Sequence, residues 1–238
     1  MIAHARIVAC GDRLVRLRSE PPLALRSTPD GVYLVGAAAG PLGGDHLTID
    51  IDAADGAELT VRTSAASVVL PGPAPSLVTI RARVGAGCSL RWSPEPTVLA
   101  LGCRHQVVTS VELAEDARLE WWEELVLGRH GEPAGSATTR LFVDLDGGPL
   151  LRHELAVGPD HPEWSSPAVL GAATRAVGSV TVVRPNLTRR PIVLGETAAV
   201  LPLDGPAAQV VALASDALSL RRWLSRGVDT QVPAIVRS

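Results

Sequence analysis

Residues 47–59 read LTIDIDAADGAEL, and residues 78–90 read VTIRARVGAGCSL. In both stretches apolar and polar residues alternate, a short turn follows, and a leucine lies just after the turn. A third and looser copy, VVTSVELAEDARL, spans residues 107–119. The terminal leucines Leu59, Leu90 and Leu119 are 31 and then 29 positions apart. Strict alternation predicts strands with one buried and one exposed face.

A period near 30 residues is typical of β layers that bury a face only against their neighbours, as in β-helices. Ordinary hairpins with similar turn chemistry are the alternative, and three imperfect copies leave it open. Further strands are predicted at residues 14–18, Arg140–Leu145, Leu150–Val157, Ser179–Val183, Ala198–Leu203 and Gln209–Ala214. The fold class is therefore mainly β, a layered β-helix-like or sandwich fold.

One C-terminal helix interrupts this pattern at Asp216–Arg226. Its apolar stripe consists of Ala217, Leu220, Trp223 and Leu224, and the three cations near its end are Arg221, Arg222 and Arg226. Ser215 is the candidate N-cap, and Gly227 is the predicted stop. Val169–Ala176 is a candidate for a short additional helix.

The amino-acid composition excludes several classes of function for the chain. Its 238 residues, 46% of them hydrophobic, are predicted to form one domain over residues 1–238. The net charge of −3 has no basic cluster, which argues against a nucleic-acid partner. All 22 basic residues are Arg. Without Lys, a Walker A phosphate loop and Schiff-base chemistry are excluded.

The N-terminus and the cysteines predict a cytoplasmic protein. Cys10, Cys88 and Cys103 are an odd number with no Cys-x-x-Cys pair, which favours a reducing compartment. Residues 1–18 contain four arginines and no long apolar run, unlike a signal peptide. No stretch is apolar enough for a membrane span, so no membrane partner is expected.

Two groups of side chains could carry metal chemistry. Cys103 and His105 would point to one face of a strand, where thiol and imidazole could share an ion; a buried Cys beside a surface His is the simpler interpretation. Glu120 and Glu124 would likewise share a strand face with Trp122. That face would present oxygen ligands or a partner contact, or would be a solvated edge.

The order of several blocks resembles the urease accessory protein D family, called UreD or UreH. The resemblance lies in residues 33–35 with 40–45 (YLV and GPLGGD), 91–96 (RWSPEP), 120–132 (EWWEELVLGRHGE) and 146–152 (DGGPLLR). It runs from about Leu23 to the C-terminal helix. The segment at residues 62–69 and the position of the carboxylate in Glu95-Pro96 depart from the family pattern.

The resemblance implies a non-enzymatic maturation factor. It would be a scaffold or chaperone that binds apo-urease with accessory proteins F and G, G being the GTPase, and passes nickel through an internal channel. Nickel would be in transit, with no cofactor tightly bound. The expected nickel path includes Asp45, Glu95 and Glu123, with His46 as a further candidate. Gly40, Gly43 and Gly44 are expected to set backbone shape.

Two other classes of function remain open at this point. The first is a small metal-dependent hydrolase that uses Cys103, His105 and His130. The second is a carbohydrate-binding β module, which would need exposed aromatic platforms. Five Trp, one Tyr and one Phe are little material for such platforms.

Overall fold

In the computed structural model, which describes residues 1–38, 40–185, 187 and 190–231, the chain winds into stacked β coils. One sheet contains seven strands of the described chain. In spatial order they are β14 (Gly148–Val157), β13 (Ser136–Leu145), β11 (Arg104–Leu113), β8 (Ser76–Val84), β5 (His46–Ala54), β1 (Ile2–Cys10) and β2 (Arg13–Ser19). The five strands from β13 to β1 are parallel, and one antiparallel strand closes each edge.

The second sheet faces the first and continues past it. In spatial order its strands are β16 (Ile192–Gly195), β17 (Ala198–Pro202), β18 (Ala207–Ala214), β15 (Ala176–Val183), β12 (Arg118–Leu127), β9 (Ser89–Ser93), β6 (Glu58–Thr63), β4 (Gly31–Gly36) and β3 (Leu23–Thr28). Two short strands, β7 (Ser67–Val69) and β10 (Thr97–Leu99), form a narrow third wall with the end of β12.

The sequence repeat is the repeat of these coils. Leu59 pairs with Leu90, and Leu90 pairs with Leu119, along parallel strands. The stacked β coils predicted from the 30-residue period are thus confirmed, and the alternative of independent hairpins is wrong. Each coil runs from the first sheet through a turn into the second sheet.

The turns between the sheets stack on one another as well. Each closes with a backbone hydrogen bond, and the residue that donates it is small and buried: Ala57, Cys88 and Ala117. Neighbouring turns are joined by further bonds, such as the one from Ser89 N–H to the Ala57 carbonyl at 2.9 Å. Small side chains are needed here because a larger one would force adjacent coils apart.

The helix of the described residues, α1 (Ala217–Thr230), packs on the second sheet against β18 and β15. Its N-cap is Asp216, which accepts a hydrogen bond from Ser219 N–H, so the prediction of Ser215 as the cap was wrong. The candidate additional helix at Val169–Ala176 is also wrong. That segment forms turns and then enters β15.

Gly227 does not stop the helix, which continues to Thr230, and consequently the last turn has no basic residue. The glycine instead permits a close approach between helix and sheet. A Cβ atom at this position would lie 2.3 Å from Cγ1 of Val210 and 3.1 Å from Cδ1 of Leu194. The missing side chain is therefore a packing requirement rather than a termination signal.

We expect Gly227→Ala to destabilise the protein, although alanine favours helix by about 1 kcal/mol. The added methyl group would push Val210 or the helix away, which costs about 1–3 kcal/mol in a packed core. Urea unfolding should therefore give a lower free energy of unfolding. Arg222→Ala, at an exposed position of the same helix, should change it little. A Gly227→Ala variant more stable than the wild type would contradict the close contact.

Candidate functional site

A cavity of about 470 Å³ lies between the inner faces of the two sheets. The first sheet lines it with His105, Thr109 and Thr139, and the second sheet with Trp121 and Glu123. Leucine, isoleucine and valine side chains, together with prolines and small residues, complete most of the remaining wall. The interior of the coils thus combines an apolar core with a lined cavity that carries a few polar groups.

The wall of this cavity is interrupted where β9 ends. β12 pairs with β9 from Arg118 to Trp121 and with β10 from Leu125 onward, so residues 122–124 have no ladder partner on this side. The chain opposite them is Pro94-Glu95-Pro96, in which neither proline has an N–H to donate. We call this interruption, between residues 94–96 and 122–124, the ladder gap.

The two acids that β12 contributes to the ladder gap point in opposite directions, because side chains alternate along a strand. Glu123 shares a face with Trp121, which belongs to the interior cluster and stacks on Trp92 with ring centroids 5.1 Å apart. Glu124 shares a face with Trp122, which packs among residues of α1 and the outer strands. Glu123 therefore faces the interior and Glu124 faces the helix, although Glu124 also borders the first cavity at the gap.

A second cavity of about 510 Å³ adjoins the first. It lies among β14, β15, β17 and β18, and His153 and Leu155 contribute to its wall. Glu123, Leu125 and Thr139 line both cavities. Glu123 is thus the ionisable side chain at the junction of the two chambers.

The position of Glu123 changes its acidity. Its side chain keeps partial exposure because it lines the cavities, but protein surrounds the carboxyl group and removes most bulk water. This burial raises the pKa of Glu123 to about 7. Near neutral pH the group therefore exchanges between a neutral acid and a carboxylate that can bind a cation.

Imidazole and hydroxyl groups also line the two chambers. Nδ1 of His105 lies 2.8 Å from Oγ of Ser76, and burial lowers the pKa of His105 to about 4. Burial also lowers the pKa of His153, whose Nδ1 has no hydrogen-bond partner among the described residues. The buried Thr109 Oγ1 likewise has no such partner. Neutral imidazole and oxygen donors are suitable ligands for divalent transition metals.

Glu124 is paired with the helix. Its Oε1 lies 2.7 Å from Nε of Arg221, although the pair does not have hydrogen-bond geometry, and its Oε2 has no hydrogen-bond partner among the described residues. Burial raises the pKa of Glu124, and Arg221 partly offsets this effect. Glu120, on the same face of β12, contacts both Arg91 and Arg184, at 3.1 and 3.5 Å.

The four residues predicted for a nickel path occupy two places. Glu123 and Glu95 line the first cavity, Glu95 at its exposed rim. Asp45 and His46 lie outside both cavity linings, and His46 points to solvent. A role of Asp45 or His46 in nickel transit therefore stays a prediction without support from this geometry.

The contacts of Asp45 hold two segments of the fold together. Its Oδ1 lies 2.6 Å from the amino group of Met1, and its Oδ2 accepts a hydrogen bond from Leu42 N–H. Burial acts to raise the pKa of Asp45, but these contacts outweigh it and the pKa is lowered. The carboxylate thus ties the loop before β5 to the start of β1.

The glycine cluster before β5 shapes the same loop. Gly40 and Gly44 have φ angles of 149° and 93°, a region that side chains disfavour. Gly43 packs on Gly72, where a Cβ atom would lie 2.5 Å from the Gly72 nitrogen. These three glycines therefore allow the loop at residues 40–44 to turn and to lie against residues 70–75.

Cys103, His105 and His130 do not form the three-ligand site that the hydrolase hypothesis needs. Cys103 is buried in an apolar cluster, and burial raises the pKa of its thiol to about 11. His130 is exposed in the loop after β12. In the part of the chain that the structure describes, no three His, Cys, Asp or Glu side chains are grouped to hold a metal ion.

Sequence reasoning missed Thr109, Thr139 and His153 as cavity residues. For Thr109 a signal existed, because it interrupts the inward-facing row of Val107, Val111 and Leu113 with a polar group. For Thr139 and His153 no local pattern was visible, since the second chamber is formed by strands far apart in the chain.

Comparison with known proteins gives one consistent result. The model of the family described as UreD urease accessory protein matches residues 3–236. Urease accessory protein UreD of Streptomyces avermitilis is 46% identical over 244 residues, covering 96% of each chain. That of Parafrankia sp. is 44% identical over 241 residues, 89% of this chain and 81% of the relative. Urease accessory protein UreD 1 of Saccharopolyspora erythraea is 36% identical over 237 residues, which cover 94% of this chain and 92% of the relative.

The structure also bears on membrane association. Among the helices of residues 1–38, 40–185, 187 and 190–231, none has the length and apolar character needed to cross a bilayer.

We expect Glu123→Gln to stabilise the protein at alkaline pH. The folded protein retains the Glu123 proton up to about pH 7, whereas the unfolded chain releases it near the ordinary pKa of 4.5. The wild type therefore loses stability between these two pH values, and the loss persists above pH 7. Urea unfolding at pH 8 should give the variant an advantage of up to about 3 kcal/mol, which should shrink towards zero at pH 4.5.

The matched control is Glu115→Gln, at an exposed carboxylate with no ion pair in the described part of the chain. Its stability relative to the wild type should not change between the two pH values. A pH-independent difference for Glu123→Gln would show that the carboxyl group is not buried as described.

Proposed function

Since the chain belongs to the UreD family of urease accessory proteins, we propose that it is a scaffold and chaperone for inserting nickel into apo-urease. In this proposal it acts as one domain, together with accessory proteins F and G, and G supplies the GTPase activity. The protein is a maturation factor rather than an enzyme, and it works in the cytoplasm with neither a nucleic-acid nor a membrane partner.

The observation that supports a conduit is Glu123 at the junction of two internal chambers. A nickel ion that passes between the coils must leave its water shell behind in part. The groups that can replace this water are the Glu123 carboxylate, the neutral imidazoles of His105 and His153, and the hydroxyls of Thr109 and Thr139. They are distributed along the chambers rather than gathered at one point, as transit requires.

The composition agrees with a GTPase activity that is supplied by a partner rather than by this chain. The chain contains no Lys, so it has no Walker A lysine to hold the phosphates of GTP. The hydrolase alternative is not retained, because its three predicted ligands do not converge. The cytoplasmic assignment is supported by Cys10, Cys88 and Cys103, all of which are free thiols.

The proposal predicts that Glu123 is needed for urease activation. A strain with the urease operon but without this gene should contain nickel-poor, inactive urease, and the wild-type gene should restore it. Glu123→Gln should restore several-fold less activity, because an amide binds a divalent cation more weakly than a carboxylate. Urease activity and nickel per urease active site are the measurements.

Glu115→Gln is again the control and should activate urease like the wild type. Tagged protein should also co-purify with urease and with accessory protein F from the complemented strain. Full urease activity in the strain that lacks this gene would refute the proposed function.

A further inference from the structure

The ladder gap contains an ion pair whose geometry resembles an occupied cation site. Nε of Arg221 lies 2.7 Å from Glu124 Oε1, and its guanidinium lies 3.8 Å from Glu95 Oε2. The same guanidinium donates a hydrogen bond of 3.0 Å to the Pro94 carbonyl. The face of Trp122 lies beside it, with 5.4 Å from Arg221 Cζ to the ring centroid.

We propose that Arg221 is a placeholder cation, and that Glu95, Glu124 and the Pro94 carbonyl form a site that takes a divalent metal ion when the arginine moves aside. That the ion is nickel rests on the proposed function. The site itself is defined by oxygen donors: two carboxylates and one backbone carbonyl.

The strongest support is the state of Glu124. This residue is 6% exposed, its Oε2 has no hydrogen-bond partner among the described residues, and its only ion-pair partner there is Arg221. A buried carboxylate oxygen that lacks a hydrogen-bond partner lowers the stability of the fold unless a nearby cation compensates the charge. A metal ion could use both oxygens, neither of which has a hydrogen-bond partner among the described residues.

Glu120 provides an internal comparison on the same face of β12. It has two arginine partners, Arg91 and Arg184, and it also accepts a hydrogen bond from Trp122 Nε1 at 2.8 Å. Its charge is therefore already compensated. Glu124 differs in having one cation partner and no hydrogen bond to either carboxylate oxygen among the described residues, which singles it out as the acid prepared for an exchange.

Exchange is feasible because Arg221 is not enclosed. Its side chain is 29% exposed, while the Glu124 side chain is 2% exposed. Swinging out would return the guanidinium to water, and a doubly charged ion would then interact more strongly with the two carboxylates than the single charge it replaces. The first cavity lies directly behind this position, since Pro94, Glu95 and Glu124 all line it.

Titration of NiCl₂ alone into the purified full-length protein tests the proposal by calorimetry. Arg221→Gln removes the resident charge and leaves a shorter, polar side chain with fewer N–H donors, so it should bind one Ni²⁺ about tenfold more tightly than the wild type, a change of about 1.4 kcal/mol. The double variant Arg221→Gln with Glu124→Gln should lose this gain. Arg222→Gln removes the same charge from the exposed neighbouring position and should match the wild type.

Guanidinium ion at millimolar concentration should compete with Ni²⁺ in Arg221→Gln, because it restores the missing group. A folded Arg221→Gln protein that binds Ni²⁺ no more tightly than the wild type overturns the proposal. An equal gain in Arg222→Gln also overturns it, since the effect would then be one of net charge.

Arg221→Lys covers the case in which Arg221→Gln fails to fold. It keeps the positive charge but offers a single ammonium in place of the planar guanidinium, so a smaller gain of about threefold is expected; no gain overturns the proposal. Because these titrations contain neither urease nor partners, their outcome is independent of the strain experiment. If Arg221→Gln binds Ni²⁺ more tightly but urease is activated normally in the strain that lacks this gene, the metal site is retained and the proposed function is rejected.

Discussion

The fold depends on the register between neighbouring coils. Each parallel strand obtains its backbone hydrogen bonds from the coil before and the coil after it, so no coil can shift without breaking two ladders. The same register places equivalent side chains above one another, as with Leu59, Leu90 and Leu119. It therefore determines which side chains face one another across the interior.

The size and polarity of the side chains that point inward determine whether each part of the interior is packed or remains a cavity. Near the stacked turns, large apolar groups such as Trp92, Trp121 and Leu90 fill the space. At the other end of the strands, Thr109, Thr139 and His105 fill it less completely, and the chambers remain. The burial of Glu123 there carries an electrostatic penalty, and ionisable groups held against such a penalty concentrate at functional sites.

Sequence patterns predicted the coils well because each coil repeats the same short pattern of residues along the chain. Alternation and turn spacing reveal it directly, as residues 47–59 and 78–90 demonstrate. The end of α1 could not be read in this way, because Gly227 serves a contact with Val210, a residue outside the helix. Similarly, Glu123 and Glu124 are adjacent in sequence and equal in chemistry. Only the ladder gap and the position of the helix assign one to the interior and the other to Arg221.

The ladder gap also affects how this wall can move. Strands inside the two sheets are held on both sides over most of their length, but residues 122–124 are held by β15 alone. Residues 122–124 therefore have fewer backbone hydrogen bonds to restrain them than the rest of β12 has. The first cavity already reaches the surface here, at the exposed Glu95, so a small local movement of residues 122–124 would change the width of this opening while the surrounding coils stay intact.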